Sequence, residues 1–451
     1  MELGLVTKDT TWWVFALPAF LGSKTLLDGY VLVAILMAFV SLSLLTWAFS
    51  SGGIAWKNGR NQKGPVPISG PRGLPLFGCL FTLSRGLAHR SLAAMAWSRA
   101  TTTQLMAFSL GSTPVVVASD PFTAKEILTS PNFADRPIKQ SAKSLMFSRA
   151  IGFAPNGTYW RLLRKIASSH LFAPRRILAH EPKRQQECAA MLSNIGTEQK
   201  LSGTVLLRKH LQAASLNNIM GSVFGKRYDT DTAQDSEEQD ELKDMVQEGF
   251  ELLGAFNWSD YLPWLSYFYD PFRIKERCSK LVPRVRKLVR DIIEEHRAAA
   301  AGPRSLSDNA DFVDVLLSLD GEEKLQEDDM VAVLWEMIFR GTDTTALLTE
   351  WVMAELILHP EVQEKLYKEI DSAVGNKAVT DADAAGLPVC PGKNLGLVTV
   401  NLWVAKLVQG FTWVQDGSNP VDLSEVLKLS CEMKYPLHAI AVPRTSSNIS
   451  I

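Results

Sequence analysis

The sequence predicts a mainly α-helical protein with small β-sheets, preceded by one N-terminal transmembrane helix. Three observations support this fold class: a membrane-length apolar run near the N-terminus, amphipathic stretches of helical period through most of the chain, and a few short strand-like segments. The 451 residues are 46% hydrophobic and 21% charged, which is an ordinary globular balance. A chain of this length forms one large core or two smaller ones.

Charge and cysteine usage exclude two classes of function. The formal net charge of −1 gives no electrostatic support for nucleic-acid binding. The five cysteines are scattered and form no CxxC pair or zinc-type Cys and His pattern. An odd, sparse count is typical of free thiols in a reducing compartment.

The first element is the predicted membrane anchor, residues 1–50. Residues 30–49 contain no Asp, Glu, Lys, Arg or His, and 20 residues are enough for a helix to cross a hydrocarbon core of about 30 Å. Trp47 and Trp56 lie near its end, where aromatic belts form. Seven basic residues and no acid separate Asp28 from Asp120, so the rest of the chain is expected in the cytosol.

Two alternatives apply to this region. A cleaved signal peptide is disfavoured because the apolar run is too long and its basic flank lies on the C-terminal side. The shorter apolar stretch 11–22 is interfacial or a partial second insertion, and the sequence leaves both open.

A basic, Pro-rich hinge over residues 51–84 follows the anchor, and residues 85–451 form the predicted main domain. Within the hinge, prolines in 64–78 favour a stiff, non-helical connector. In the domain, the β-branched segment 112–119 predicts a buried strand, and 429–444 predicts short strands. Charged loops are expected at 229–244 and 320–330, and helices at 156–172, 275–300, 328–358, 361–375 and 392–411.

The segment RGTDTT (340–345) places polar residues inside a strongly apolar helix. A glycine costs about 1 kcal/mol in a helix interior, and an unpaired buried hydroxyl or carboxyl costs about 1–3 kcal/mol more. One interpretation is a local groove that a ligand or water fills, with Asp343 and Thr344 as a proton relay. The other, equally weighted, is a helix restart with Thr342 or Asp343 as N-cap.

Two further positions have both a functional and a structural interpretation. Trp160 and Arg164 lie four residues apart on one helix face, where they suit a carboxylate or propionate, or simply anchor a surface helix. Cys390 precedes Pro391-Gly392 and a helix, whose N-terminus lowers a thiol pKa and favours a soft metal ligand. An ordinary buried cysteine is the alternative.

Taken together and in this order, these segments resemble the cytochrome P-450 family, and more closely its plant microsomal type related to organ-size regulators. The resemblance covers most of the chain, from the anchor and Pro-rich hinge to the last strands. It rests on the Trp160 and Arg164 helix and on FADRP (133–137), FNWSDYLPWL (256–265), FRGTDTT (339–345), LHPEVQEKLYKEIDSAVG (358–375), VCPGKNLGL (389–397) and KLSCEMKYPL (428–437).

The resemblance implies a cytochrome P-450-like fold and a heme with an axial thiolate, Cys390, as the metal ligand. By the same resemblance, Asp343 and Thr344 supply the protons that oxygen activation consumes, and Gly341 opens the helix for oxygen. Trp160 and Arg164 hold a heme propionate. Gly392 belongs to the thiolate loop. Arg340 is atypical, because the family usually has Ala or Gly there.

The resemblance breaks between Gly375 and Cys390. There the family places a helix with Glu-x-x-Arg, several strands and a Phe-x-x-Gly-x-Arg-x-Cys loop, whereas only 14 residues lie here. After Arg340 the sole arginine is Arg444, so no Glu-x-x-Arg exists downstream. The fold is therefore expected to be incomplete, with an internal deletion at about 388/389.

The resemblance implies a monooxygenase with a catalytic domain over residues 85–451 that inserts one oxygen atom into a lipophilic, fatty-acid-like molecule. Its expected partners are membrane lipid and an NADPH-dependent reductase, and its expected location is the endoplasmic reticulum membrane, single-pass. The alternative is a catalytically inactive membrane-anchored remnant that binds heme weakly or not at all. A nucleotide-binding loop at 386–393 is poorly supported, because Asn394 stands where Ser or Thr is required.

Overall fold

The computed structural model describes residues 29–50, 52–56, 68–84, 86–98, 102–228, 233–267, 270–299, 310–374 and 392–444. These residues form two compact units. The first contains the described residues up to Leu128 together with Tyr261–Leu265, and the second contains the others. The short apolar stretch 11–22 lies outside the described residues.

The first unit begins with the apolar helix α1, Gly29–Phe49. Within it, Val31–Phe49 has a mean hydropathy of 2.4 and is only 6% buried, so this helix is long and apolar enough to cross a membrane. Just before its end, the Trp47 indole N–H donates to the Gly73 carbonyl at 3.0 Å. That bond ties the end of α1 to the connector that follows.

The connector and a β-hairpin complete the first unit. Residues 68–79 contain no helix, as predicted for this stretch, while 64–67 lie outside the described residues. The expected strand at 112–119 is confirmed at Thr113–Ala118, but its burial was predicted wrongly. This strand is partly exposed because it is the outer strand of a two-stranded sheet, and its partner Leu105–Leu110 is the buried one. The elements are α2 Leu80–Leu83, α3 Ala88–Trp97, β1 Leu105–Leu110, β2 Thr113–Ala118 and α4 Pro121–Thr129.

The second unit is mainly helical, and all five predicted helices are present with ends shifted by one or two residues. The helices are α5 Gln140–Leu145, α6 Thr158–His170, α7 Pro174–Ala179, α8 Glu181–Ser202, α9 Leu207–Val223, α10 Ala233–Gly254, α11 Ile274–Ala299, α12 Phe312–Ser318, α13 Glu327–Leu358, α14 Pro360–Val374 and α15 Lys393–Gly410. Four of them, α8, α9, α13 and α15, pack together as a bundle.

Two small sheets accompany these helices. A three-stranded antiparallel sheet has the order β3 (Val205–Leu206), β7 (His438–Pro443) and β4 (Phe411–Gln415). A two-stranded sheet pairs β5 (Glu425–Leu427) with β6 (Cys431–Met433). The predicted C-terminal strands are therefore confirmed. The fold class, mainly α with small sheets, is confirmed as well.

The two charged segments expected as loops are partly helical. Helix α10 already begins at Ala233, and α13 begins at Glu327, preceded by a 3-10 turn at Gly321–Glu323. Acidic residues stabilise the first turn of a helix, and this explains why helices can begin within both acid-rich segments. Charge alone did not distinguish a solvated loop from a helix start.

Helix α13 lies at the centre of the second unit. A capping box between Gln326 and Asp329 starts it, and His359 ends it just before Pro360, as predicted. Its first half packs with Trp335, Ile338 and Phe339 in one core cluster. Its second half packs with Met353 and Ala354 against α15 in another. The helix therefore links both cores and holds its own polar segment in a fixed position.

Candidate active site

Helix α13 runs without interruption through the polar segment 340–345. The helix-restart interpretation, with Thr342 or Asp343 as N-cap, is therefore wrong. The hydroxyls of this region are satisfied locally: Thr344 Oγ1 donates to the Arg340 carbonyl at 3.2 Å. Thr349 Oγ1 donates to the Thr345 carbonyl at 2.9 Å. Back-bonding to the preceding turn lets these residues remain within a helix.

At Gly341, α13 packs closely against α9. A Cβ built at Gly341 lies only 2.2 Å from Cγ1 of Ile219, and Ser215 Oγ donates to the Gly341 carbonyl at 2.9 Å. A glycine is needed here because the neighbouring helix occupies the space of a side chain. The structure thus gives Gly341 a packing role, and its expected role in oxygen access stays a prediction.

Asp343 and Thr344 are neighbours in sequence but point in different directions, since successive helical residues are rotated by about 100°. Asp343 accepts from Gln212 Nε2 at 3.4 Å. Burial raises the pKa of the Asp343 carboxyl, and the nearby Glu432 carboxylate acts in the same direction. Thr344 is exposed. The two residues bond to Gln212 and Arg340 rather than to each other, so proton exchange between them requires a water or ligand bridge.

Thr344 belongs to an open stripe on a mostly buried helix. Arg340, Thr344 and Leu348 are spaced by four residues and so share one helix face. The Arg340 side chain is 49% exposed and Leu348 is 47% exposed. Exposed apolar surface next to a hydroxyl on a core helix fits the face of a flat, largely apolar group.

The atypical Arg340 is held at one end of this stripe. Its Nε donates to Glu336 Oε1 at 2.9 Å, and its guanidinium lies 5.2 Å from the Phe153 ring centroid. Glu336 Oε1 also accepts from the Gly152 backbone N–H at 2.8 Å. These contacts give the arginine a structural role in tying α13 to the loop before α6.

Trp160 and Arg164 lie on one face of α6, as predicted. The Arg164 guanidinium lies 5.5 Å from the centroid of the Trp160 ring, which is a cation–π contact. The Trp160 indole N–H donates to the Ile151 carbonyl at 2.9 Å. The structure therefore pairs the two side chains, and it commits the indole donor to the protein backbone.

The thiolate loop is described only from Gly392 onward, and Cys390 lies outside the described residues. Gly392 is the N-cap of α15. A Cβ built there lies 3.4 Å from the Phe172 ring, so the start of α15 lies close to the end of α6. Asn394, in the first turn, has a buried Oδ1 without a partner among the described residues.

The sequence did not predict the buried ion pair between Arg208 and Glu350, whose acid lies on α13 six residues after Thr344. Glu350 is fully buried, and its Oε2 accepts from Arg208 Nε at 2.7 Å. Its other oxygen accepts from the Leu437 backbone N–H at 2.9 Å, and Arg208 Nη2 donates to the Met433 carbonyl at 2.8 Å. The acid inside the apolar run LLTEWVMAEL (347–356) was the signal that such a partner exists.

Two cavities among the described residues lie away from the predicted site. One, of about 500 Å³, is lined mainly by α5, α11 and the start of α13, and the other, of about 330 Å³, is lined by the end of α13 and the start of α14. Neither is lined by a predicted site residue. The predicted site residues Thr344 and Asp343 lie instead at the open stripe of α13, which is the candidate site.

Residues 68–389 match the family model described as Cytochrome P450. The chain belongs to the cytochrome P450 family, whose members are heme-thiolate monooxygenases. It is 56% identical to "Cytochrome P450 78A7" of Arabidopsis thaliana, covering 98% of this chain and 99% of that protein. It is 49% identical to "Cytochrome P450 78A11" of Oryza sativa subsp. japonica and 48% identical to "Cytochrome P450 78A1" of Zea mays, each over 97% of this chain and at least 97% of the relative. These similarities identify a plant cytochrome P450 of the 78A subgroup.

The length of these alignments bears on the shortened region. The alignment with the Arabidopsis relative spans 536 positions, whereas this chain has 451 residues, so at least 85 aligned positions have no residue here. The family match ends at residue 389, directly before Cys390.

The described residues fit a heme along one face. The stripe of Arg340, Thr344 and Leu348 offers an accessible hydroxyl and apolar surface, and no side chain of a described residue donates a hydrogen bond to the Thr344 hydroxyl. Cys390, which precedes α15 in sequence and lies outside the described residues, would supply the thiolate ligand.

Proposed function

We propose that this protein inserts one oxygen atom from O₂ into a lipophilic small molecule, using electrons from an NADPH-dependent reductase. The observation that carries the proposal is the open stripe on α13, which contains the exposed Thr344 directly after Asp343 in sequence, a carboxyl whose pKa is raised by burial. A fatty-acid-like substrate is the class that we favour.

In this proposal Cys390 binds the heme iron as a thiolate and Gly392 begins the helix behind it. Trp160 and Arg164 face a propionate, and Gly341 gives oxygen access to the helix. When bound, the heme supplies the activation of O₂. The chain's own residues supply protons at defined atoms.

Asp343 and Thr344 are the proposed proton donors. A carboxyl with a raised pKa holds its proton at a higher pH than an exposed carboxyl does, which brings it closer to the working range of a general acid. The Thr344 hydroxyl donates to the Arg340 carbonyl at 3.2 Å, and its oxygen can also accept a hydrogen bond. A water held between them would connect the two groups.

We further propose that α1 anchors the protein in the endoplasmic reticulum membrane in a single pass, with residues 85–451 in the cytosol. The support is the apolar, exposed helix itself and the seven basic residues on its C-terminal flank. Residues 1–50 are then the anchor and 51–84 the hinge. Membrane lipid and the reductase are the expected partners.

A catalytically inactive, shortened form is the second candidate. We propose that a segment is missing at about 388/389, which the length of the alignments and the end of the family match both support. The missing segment would contain the arginine of the family's Phe-x-x-Gly-x-Arg-x-Cys loop. Arg444, the sole arginine after Arg340, does not replace it, because its guanidinium lies 3.7 Å from the Tyr367 ring centroid and donates to Glu364 at 3.2 Å. No other arginine of this region is available for a propionate.

One experiment distinguishes the two candidates. The full chain is expressed in membranes with a plant NADPH-dependent reductase, and lipophilic compounds that include medium-chain fatty acids are supplied under ¹⁸O₂. The monooxygenase proposal predicts products that carry one ¹⁸O atom and are absent for Cys390→Ser. If membranes that contain the folded chain yield no labelled product and no bound heme, the inactive form is the correct assignment.

A further inference from the structure

The larger of the two cavities is lined along one side by a single face of α11. Lys275, Ser279 and Arg286 all line it, and their spacing of four and seven residues places them on the same side of the helix. The other walls come from α5, the residues that follow α5, and the start of α13. The volume of about 500 Å³ is that of a small-molecule site, for which about 300–1,000 Å³ is usual.

The lining of this cavity is strongly basic. Its charged residues are one acid, Asp328, and four cations, namely Lys143, Arg149, Lys275 and Arg286. The whole chain carries a formal net charge of −1, so this excess of positive charge is local. A concave surface with one sign of charge focuses its field and raises the local concentration of ligands of the opposite charge. The cavity therefore favours an anion.

The basic residues of α11 differ in how closely their charge is compensated. A carboxylate oxygen lies within 3.1 Å of each of six of them: Arg277, Lys280, Arg284, Lys287, Arg290 and Arg297. Among the residues that the structure describes, Lys275 forms no ion pair, and its Nζ donates to the Ser266 carbonyl at 3.3 Å. Arg286 lies 3.5 Å from Asp328 Oδ1, an oxygen that it shares with Arg290 at the same distance. The two cations of α11 that face the cavity are thus the least compensated ones.

The two arginines of the cavity are held in position by their neighbours. The Arg286 guanidinium lies 4.8 Å from the centroid of the Phe147 ring. Arg149 Nη1 is paired with Asp329, whose carboxylate also accepts from the Tyr159 hydroxyl at 2.9 Å. A guanidinium has five N–H donors, so these contacts leave donors for a ligand. Because the side chains are already ordered, a ligand pays less entropy to bind them.

The cavity also has an apolar wall beside its cations. Phe147, Val282 and Pro283 form this wall. Arginine binds phosphate oxygens through its planar fork, and lysine adds a point charge. A phosphate monoester carries a charge of about −1.5 to −2 at neutral pH and matches this excess of cations better than a singly charged carboxylate does. The apolar wall suits a hydrocarbon group attached to the phosphate.

The segment that we propose to be missing at about 388/389 does not account for this cavity. That segment would connect α14 to α15, and neither helix contributes a lining residue. The buried residues of α14 and α15 belong to the second core cluster, whereas α5, α11 and the first half of α13 pack in the first. The basic cavity is therefore a feature of a part of the fold that is present.

We propose that this cavity binds a phosphate monoester, with the phosphate held by Lys143, Arg149, Lys275 and Arg286 and an attached apolar group packed on Phe147. The ligand is either a water-soluble monoester or the headgroup of phosphatidic acid, which is a phosphate monoester as well. The site depends on neither heme nor Cys390, so its test is separate from the test of the enzymatic proposal.

Calorimetric titration of the full-length chain in phosphatidylcholine nanodiscs tests the site, with hexyl phosphate as the probe. The variant is Lys143→Gln combined with Lys275→Gln. Both side chains are exposed, so the variant is expected to fold with an unchanged unfolding temperature. The matched control is Lys280→Gln combined with Lys287→Gln, which removes the same charge from two exposed positions of α11 that do not line the cavity. Hexanol is the uncharged control ligand.

We expect saturable binding of hexyl phosphate to the parent chain and weaker or no binding of hexanol. The cavity variant should weaken hexyl phosphate binding by about tenfold or more, because it removes two charge-assisted contacts. The control variant should change it by less than about twofold, since exposed charges outside the cavity are screened. Absence of binding to the parent chain, equal binding of hexanol, or equal weakening by the two variants would overturn the proposal.

A competition experiment distinguishes the two sources of the phosphate monoester. The titration is repeated in nanodiscs that also contain phosphatidic acid, with phosphatidylglycerol, an anionic phosphodiester lipid, as the control for surface charge. If the lipid headgroup occupies the cavity, phosphatidic acid weakens hexyl phosphate binding more than phosphatidylglycerol does. Equal effects of the two lipids assign the site to a water-soluble monoester.

Discussion

Ile219 of α9 fills the space that a side chain at Gly341 would need, with Ile219 Cγ1 only 2.2 Å from a Cβ built on that glycine. The contact joins the helix that carries the candidate site to its neighbour in the bundle. It also fixes the position of Asp343 and Thr344 relative to α9, because the two helices cannot slide past each other without displacing Ile219.

Gly341→Ala is therefore expected to destabilise the protein. Overpacking costs about 1–3 kcal/mol, which exceeds the gain of about 1 kcal/mol from replacing a helix-interior glycine. Thermal unfolding followed by circular dichroism measures the change. Ile219→Ala added to Gly341→Ala should restore part of the loss.

Gly396→Ala on α15 is the matched control for this substitution. A Cβ built at Gly396 meets nothing within 4 Å, so this change should stabilise the helix slightly. Similar destabilisation by both substitutions would show that packing against Ile219 is not the cause.

Glu350→Gln tests the buried ion pair. Removal of one partner leaves the Arg208 guanidinium without its main counter-charge, and breaking a buried pair costs about 3–5 kcal/mol. We expect a marked fall in the unfolding temperature. Glu355→Gln, an exposed acid on the same helix, should leave it nearly unchanged. Equal effects of the two changes would argue against a special role for the buried pair.

The His296 and Asp311 contact predicts a pH-dependent stability. His296 Nε2 lies 3.0 Å from Asp311 Oδ2, and this hydrogen bond raises the pKa of the imidazole above its ordinary value, with Asp314 acting in the same direction. A raised folded-state pKa means that the stabilisation is fully present below the unfolded pKa and is lost as pH rises through the folded pKa.

The unfolding temperature of the parent and of His296→Gln should therefore differ most at about pH 5.5 and converge at about pH 9. His170→Gln is a control, because burial lowers the pKa of His170 and its contribution has the opposite sign. A difference for His296→Gln that grows with pH would contradict the assignment.

Asp343→Asn tests the proposed proton donor. An amide cannot release a proton, so product formation should fall by about 10²-fold, within the range of about 10²–10⁴ for general acid–base groups. Thr344→Val should lower the product formed per NADPH consumed without changing the unfolding temperature, because the side chain is exposed. Gln212→Ala, which removes only the partner of Asp343, should have a smaller effect. Normal product yield from Asp343→Asn would exclude the relay.

The sequence was a good guide to the helices and a poorer one to side-chain surroundings. Apolar periodicity and the His359-Pro360 stop located α13 to within one residue, and the spacing of Trp160 and Arg164 correctly placed both on one face. Such local patterns depend on residues close in sequence. The partial exposure of β2 was missed because the burial of a strand depends on whether another strand lies beyond it.

Long-range partners explain what else was not predictable. Arg208 and Glu350 are 142 residues apart, and Ile219 and Gly341 meet only through helix packing. The two interpretations of RGTDTT (340–345) also required the structure, since α13 passes through this segment unbroken and both cap candidates bond elsewhere. Thr342 Oγ1 donates to the Phe339 carbonyl, and Asp343 accepts from Gln212. The shortened region, in contrast, was expected from the sequence, because the motifs of the family that the chain resembles do not fit into the 14 residues between Gly375 and Cys390.

The central claim is that this shortened chain still binds heme through Cys390. The most direct test is the carbon monoxide difference spectrum of the reduced full chain in membranes. The account predicts the red-shifted band of a thiolate-ligated heme, its loss in Cys390→Ser and its retention in Cys431→Ser. A folded chain that takes up no heme, or a band that survives Cys390→Ser, would contradict it.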